Sequence, residues 1–327
     1  MKPRIFLGSS SESLSTLQKV NDLLSDIGDC KMWTNAFERN KSGLDSLVRE
    51  TKLSDFSVLL AMKDDIVLKL KRNETNIVAR DNVIFEFALF LGSTGLNRAF
   101  LLAEDGIDLP SDLAGITVSK FTLEPGRYNS LDAVCEQIKK DIDKVSKGSD
   151  LGFLPSTALA IGYYYNFVRK VCEELHSKNC IVAGEKDNAK EVKIRDFKFH
   201  VIIPDNLDDN GVDNFKTLYH KKHNLNNAST GTIDIKRGYP FVFKLEPPDQ
   251  KEEDDKIIDL FDIPSTLNTI VEALKLFMPK VQVGESEEVE HLESRELSNF
   301  AKVLKYLISK NTLTKNSVVV QENVKLD

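Results

Sequence analysis

The chain has 327 residues, 41% of them hydrophobic and 29% charged, with a formal net charge of −7. At on the order of 150 residues per domain the length suggests two domains, and the composition excludes collagen-like, coiled-coil and disordered chains. Residues 1–150 carry 20 basic and 23 acidic side chains and residues 151–327 carry 24 and 28, so neither half has the basic surplus that a nucleic-acid polymer needs.

The start, Met1-Lys2-Pro3-Arg4-Ile5-Phe6-Leu7-Gly8, enters a strand directly and is expected to be neither signal nor transit peptide. No apolar run approaches the roughly 20 residues of a membrane-spanning helix. Cys30, Cys135, Cys172 and Cys180 form no C-x-x-C pair, which argues against a disulfide scaffold and a zinc ribbon. The expected compartment is a reducing cytoplasm. Strand candidates then follow at Arg4–Leu7, Cys30–Trp33, Phe56–Ala61, Ala99–Leu102 and Ile116–Phe121. Helical patterns lie between them at Ser11–Ile27, Gly43–Leu53, Asn82–Leu91 and Leu131–Val145. Short buried strands alternating with helices predict an α/β domain with a parallel sheet covered on both faces, its ligand at the carboxyl ends of the strands. The polar stretch Lys147–Asp150 is the expected boundary, giving domains 1–148 and 149–327.

The second half reads as α+β. A long helix is expected from Ser156 to Ser177, carrying the aromatic block Tyr163-Tyr164-Tyr165-Asn166-Phe167, with a strand at Lys193–Ile203 and a polar loop at Asn224–Thr230. Thr232–Lys236 and Tyr239–Leu245 flank Arg237-Gly238 as a hairpin. The acidic run Asp249–Asp255 reads as a solvated loop, and helices close the chain at Pro264–Phe277 and Ser286–Ser309.

Candidate chemistry in the first half has to work without histidine, because all five histidines lie after residue 175. The loop Gly8-Ser9-Ser10-Ser11-Glu12 is either a phosphate cradle at a helix N-terminus or a Ser9-x-x-Glu12 capping box. Glu86, in Arg80-Asp81-Asn82-Val83-Ile84-Phe85-Glu86-Phe87, is the only charged residue between Asp81 and Arg98. A carboxylate in such apolar surroundings is either paired, with Arg80 or a lysine, or used. Asp81 is a good N-cap for that helix.

These residues, with Trp33 and Phe37 after the second strand, Ser54-Asp55-Phe56 and Leu109-Pro110-Ser111-Asp112-Leu113, resemble a bacterial TIR-like domain over residues 3–122. That family cleaves NAD and occurs in antiviral effectors, and its catalytic glutamate corresponds to Glu86. The resemblance implies that Ser9 and Ser10 face the diphosphate, that Trp33 or Phe37 stacks on a ring, and that Arg80, Asp81 and Asn82 orient substrate or start the helix. From Leu154-Pro155-Ser156 through Val168 the second half resembles a prokaryotic STING cyclic-dinucleotide-binding domain, over about residues 153–323. Tyr163 and Phe167 then stack on bases or form dimer core, and Arg237 belongs to the lid. Asp262, read by itself a helix cap, accepts from guanine, with Thr266 one turn on. Asp262 beside Arg237 implies cyclic di-GMP.

The expected protein is a cytoplasmic TIR–STING effector of CBASS antiphage defence. Cyclic di-GMP binds a STING homodimer, the dimers assemble into higher oligomers or filaments, and NAD+ is hydrolysed to ADP-ribose and nicotinamide. NAD+ is substrate rather than cofactor, cyclic di-GMP is the activating ligand, and no metal, membrane or nucleic-acid polymer is expected. The rivals are a non-catalytic TIR adaptor and a nucleoside N-glycosidase or deoxyribosyltransferase.

Overall fold

The computed structural model describes residues 2–35, 43–115, 118–147, 155–184, 189–207, 211–235, 237–246, 257–277 and 286–326. Two compact units divide the chain, Met1–Gly152 and Phe153–Asp327. Most of the stretch expected as the boundary lies outside the described residues, as do Phe37 and the acidic run.

The first unit runs β1 (Arg4–Ser9), α1 (Leu14–Leu24), β2 (Asp29–Met32), α2 (Gly43–Leu53), β3 (Phe56–Ala61), β4 (Asp65–Lys69), β5 (Glu74–Val78), α3 (Asp81–Thr94), β6 (Ala99–Glu104), β7 (Val118–Phe121) and α4 (Leu131–Lys147). Five of these strands form a parallel sheet in the order β2-β1-β3-β6-β7. Alternate residues serve opposite faces, as the period of two in a strand requires. Ile5, Leu7, Val58 and Leu60 pack with Leu17 and Val20 of α1 and Ile138 of α4. Phe6, Leu59 and Leu101 pack with Val83, Phe87 and Phe90 of α3. Phe6 and Phe90 stack with ring centroids 4.6 Å apart.

The antiparallel ribbon β4–β5 stands outside this sheet and was not expected. One face of it is moored on Asp108, which accepts from Lys69 Nζ at 2.5 Å and Asn76 Nδ2 at 3.0 Å. The capping box between Ser9 and Glu12 does not form. Ser9 still belongs to β1, α1 begins at Leu14, and the Glu12 carboxylate is taken by Ser11 and Arg80. Asp81 is the first residue of α3 rather than its cap. Arg80 holds the cap position, and Asp81 Oδ1 accepts the Asn82 N–H at 2.9 Å.

The second unit runs α5 (Pro155–Tyr163), a π turn at Tyr164–Val168, α6 (Arg169–Lys178), β8 (Cys180–Ala183), β9 (Lys190–Lys193), β10 (Asp196–Pro204), α7 (Gly211–Lys222), β11 (Asn226–Ser229), β12 (Val242–Leu245), β13 (Ile257–Asp262), α8 (Leu267–Phe277), α9 (Ser286–Lys310), α10 (Thr312–Lys315) and β14 (Val318–Val324). Its mixed sheet has the order β14-β10-β13-β12-β11-β8-β9. The long aromatic helix therefore exists but is not regular. At about 100° per residue, buried Ser156, Ala160 and Tyr163 lie on one stripe, and buried Val168, Val171, Cys172 and Leu175 lie on another about a quarter turn away. One surplus residue in the aromatic block accounts for the offset, and the π turn absorbs it.

Three other expectations change. The polar loop at Asn224–Thr230 contains strand β11, whose backbone pairs with β12 on one side and β8 on the other. The hairpin is accordingly β11 with β12, not Thr232–Lys236 with Tyr239–Leu245, and Arg237 sits in the long connection between them. The single strand at Lys193–Ile203 is two strands, β9 and β10.

Candidate functional site

In the first unit a cleft of about 350 Å³ opens at the carboxyl end of β1, lined by Ser9, Ser10, Ser11, Trp33, Arg80, Asn82 and Glu86 among others. Of the residues singled out in the sequence here, the cleft brings six together, while exposed Asp81 is not among its lining residues. Glu86 reaches it because the next-to-last residue of β1 is Gly8. A Cβ at Gly8 would stand 3.1 Å from Glu86 Oε2 and 2.3 Å from Leu59 Cδ1, so any side chain there would fill the space the carboxylate uses.

Glu86 Oε2 is buried without a hydrogen-bond partner among the described residues. Burial pushes its carboxyl up to about 7, with no neighbouring charge among the described residues to offset it. The ion pair with Arg80 is not made. Arg80 instead donates from Nε to Asp65 at 2.7 Å and from Nη2 to Glu12 at 2.9 Å, at the rim. Trp33 is half-buried at the junction of the two cores and lines the cleft. Sequence reasoning passed over Asp64 and Asp65, and over Glu12 except as a cap. The place of the acidic pair, just after the third strand of a parallel sheet, was the signal that marks them.

In the second unit the π turn lays Phe167 against Tyr163, stacked at 5.5 Å between centroids. Tyr163 Oη donates to Asp262 Oδ2 at 2.6 Å. Asp262 ends β13 and does not cap a helix, because α8 begins five residues later. Burial pushes its carboxyl up to about 6, while Tyr163, Lys216 and Arg237 pull it back down. The Arg237 guanidinium carbon lies 5.7 Å from the Phe167 ring centre, 4.9 Å from Tyr239 and 4.7 Å from Phe241. Thr266 Oγ1 is buried and takes no hydrogen bond among the described residues. Tyr163, Phe167, Arg237 and Asp262 thus form one contiguous group. Tyr239 and Phe241, which cradle Arg237, were read only as strand residues.

The arrangement combines flat aromatic faces, a guanidinium fork and a carboxylate, which together suit a planar heterocycle bearing phosphate. No helix among the described residues is long and apolar enough to cross a membrane.

Comparison with known proteins covers both units. A model of the TIR domain of CAP12/Pycsar effector proteins matches residues 4–122, and a model of the prokaryotic STING domain matches residues 155–305. The chain is 53% identical to CD-NTase-associated protein 12 of Sphingobacterium faecium, covering 100% of both chains. It is 39% identical to the protein of that name from Flavobacterium daejeonense, covering 98% of this chain and 100% of the other. A solved bacterial STING in complex with c-di-GMP is 34% identical with a TM-score of 0.43, over 53% of this chain and 98% of its own.

Proposed function

We infer, from the premise that this chain belongs to the CD-NTase-associated protein 12 family of CBASS effectors, that its TIR domain hydrolyses NAD+ when its STING domain binds cyclic di-GMP. The observation that carries the reading is the Glu86 carboxyl at the wall of the cleft, whose buried Oε2 takes no hydrogen bond among the described residues.

Cleavage of the nicotinamide–ribose bond sends the bonding electrons to the ring nitrogen, which turns a pyridinium cation into neutral nicotinamide. The leaving group needs no general acid, so a domain without histidine suffices. Charge grows instead on the ribose as oxocarbenium character, and a carboxylate in a low-dielectric wall stabilises it. Water adds to the ribose carbon and loses one proton, giving ADP-ribose. A carboxyl balanced near 7 is shared between its two forms at neutral pH. A cation arriving beside it favours the carboxylate, so the substrate's own charge completes the site. Trp33 supplies a face for a ring, and Arg80 and Asn82 supply donors.

In the STING domain, Phe167 stacks on a base, Arg237 reaches phosphate or guanine O6/N7, and Asp262 accepts from guanine N1–H and N2–H₂, with Thr266 adjacent. A two-fold-symmetric ligand fits a symmetric homodimer, each protomer reading one base. Ligand-bound dimers then assemble and bring TIR domains together.

The test is NAD+ consumption by the full chain with and without cyclic di-GMP, alongside Glu86→Gln. Ligand-dependent release of nicotinamide supports the reading. An intact NAD+ pool in both conditions leaves the adaptor, and cleavage of free nucleosides with NAD+ untouched leaves the N-glycosidase.

A further inference from the structure

Asp64, in the link between β3 and β4, joins the two walls of the Glu86 cleft. Its Oδ1 accepts from Ser10 Oγ at 2.9 Å and Ser13 Oγ at 3.0 Å, and its Oδ2 accepts the Arg80 N–H at 3.4 Å. Ser10 and Ser13 are both buried. Ser9, the neighbouring cleft hydroxyl, donates to the Ser10 carbonyl at 2.8 Å.

A serine hydroxyl has one proton and two lone pairs, whereas a carboxylate only accepts. The protons of Ser9 and Ser10 are therefore committed inside the protein, and toward a ligand both oxygens offer lone pairs. Phosphate oxygens are acceptors too and gain nothing from such a wall. Hydroxyl groups do, because they donate. We propose that Ser10, oriented by Asp64, forms the subsite that accepts a ribose hydroxyl of the substrate, with Asp64 as a positioning residue. The diphosphate then falls to Arg80 and to backbone N–H groups of the loop. The inference rests on reading this cleft as the place where the nicotinamide–ribose bond is cut.

Steady-state kinetics on the full chain with cyclic di-GMP tests it. Ser10→Ala and Asp64→Ala should each raise KM for NAD+ about three- to tenfold, as the loss of one hydrogen bond does, with kcat changed less. Because Asp64 acts on the substrate only through Ser10, the double variant should be no worse than the poorer single. Asp64→Asn keeps an acceptor oxygen for Ser10 and should recover most of the KM. NAD+ analogues lacking the 2′- or 3′-hydroxyl of the nicotinamide-bearing ribose supply a readout that does not depend on Asp64→Ala folding. One of them should bind wild type several-fold more weakly and lose that penalty in Ser10→Ala. Effects of the two single variants that multiply, or an analogue penalty unchanged in Ser10→Ala, would overturn the proposal alone. A wild-type chain that neither binds nor cleaves NAD+ would overturn it together with the reading beneath it.

Discussion

Tyr163 and Asp262, 99 positions apart in the chain, meet in a 2.6 Å hydrogen bond from the phenol to the carboxylate. Each holds the other in one ionisation state. The tyrosine hydroxyl lowers Asp262 against the upward push of burial. Burial first, and then the Asp262 charge, keep the phenol well above its ordinary range.

The bond predicts a pH effect on ligand binding. Asp262 accepts from guanine as a carboxylate, so affinity for cyclic di-GMP should fall as pH drops through about 6. Tyr163→Phe removes a group that lowers Asp262, so the same fall should begin at higher pH. Calorimetry at pH 5.5 and pH 8 on both proteins checks this. Parallel profiles would show that the phenol does not tune the carboxylate.

Ligand choice follows from the same side chain. Adenine presents an acceptor at N1 and no amino group at C2, so it would leave a partly buried carboxylate facing a lone pair. Cyclic di-AMP should bind more weakly than cyclic di-GMP by about tenfold or more, with the mixed GMP–AMP ring between them. Asp262→Ala should lose most of the preference, and Arg237→Ala should weaken all three rings. Equal wild-type affinities for the two symmetric rings would remove the role given to Asp262.

Glu86→Gln preserves shape and removes the charge. Turnover of NAD+ should drop by on the order of 10²–10³ while cyclic dinucleotide binding is kept. Stability should move the other way. The Glu86 carboxyl is raised from an ordinary 4.5 to about 7, so the folded state holds its proton more tightly than the unfolded chain does. That contribution is complete below about 4.5 and is lost as pH rises toward 7. Between pH 4.5 and 8 the wild type should therefore lose stability relative to Glu86→Gln. Denaturant melts of both at the two pH values would reveal a constant difference if the carboxyl titrates normally.

Assembly gives a concentration dependence. Residues 1–148 alone should be close to inactive in dilute solution, and the activity of the full chain should rise more than linearly with its concentration. Adding cyclic di-GMP should produce large particles in light scattering. Full activity from a ligand-free monomer would contradict the scheme.

The parallel sheet and Glu86 were legible in the sequence because burial leaves a direct mark. The runs at β1, β3 and β6 are apolar on both faces, and a lone carboxylate stands out on an apolar helix. The β4–β5 ribbon left no such mark. Ile66 and Leu70 are 74% and 84% exposed, so hydrophobicity there reports no core. Strand β11 reads as a loop because its asparagines and serine are turn formers, yet backbone partners on both sides hold it extended, and Asn227 accepts from Lys244 Nζ at 2.6 Å. The capping box failed through competition. Arg80, 68 positions from Glu12, takes its carboxylate, and no local pattern announces a partner that distant. Asp64 was invisible for a similar reason, since an Asp-Asp pair after a strand looks like an ordinary turn.

The surplus residue in the aromatic block separates what the helix needs from what the ligand needs. Removing a residue from a helix ordinarily rotates everything beyond it by about 100° and pulls buried side chains into water. Here the rotation would run the other way. Without exposed Asn166, the stripe carrying Val171, Cys172 and Leu175 would swing into line with the one carrying Ser156 and Ala160, and a regular helix would bury both. Phe167, however, would move to three positions from Tyr163 and leave the stack. A one-residue deletion at Asn166 is expected to yield a well-folded chain blind to its signal, so in this helix the length of the chain, not the identity of any side chain, separates a scaffold from a receptor.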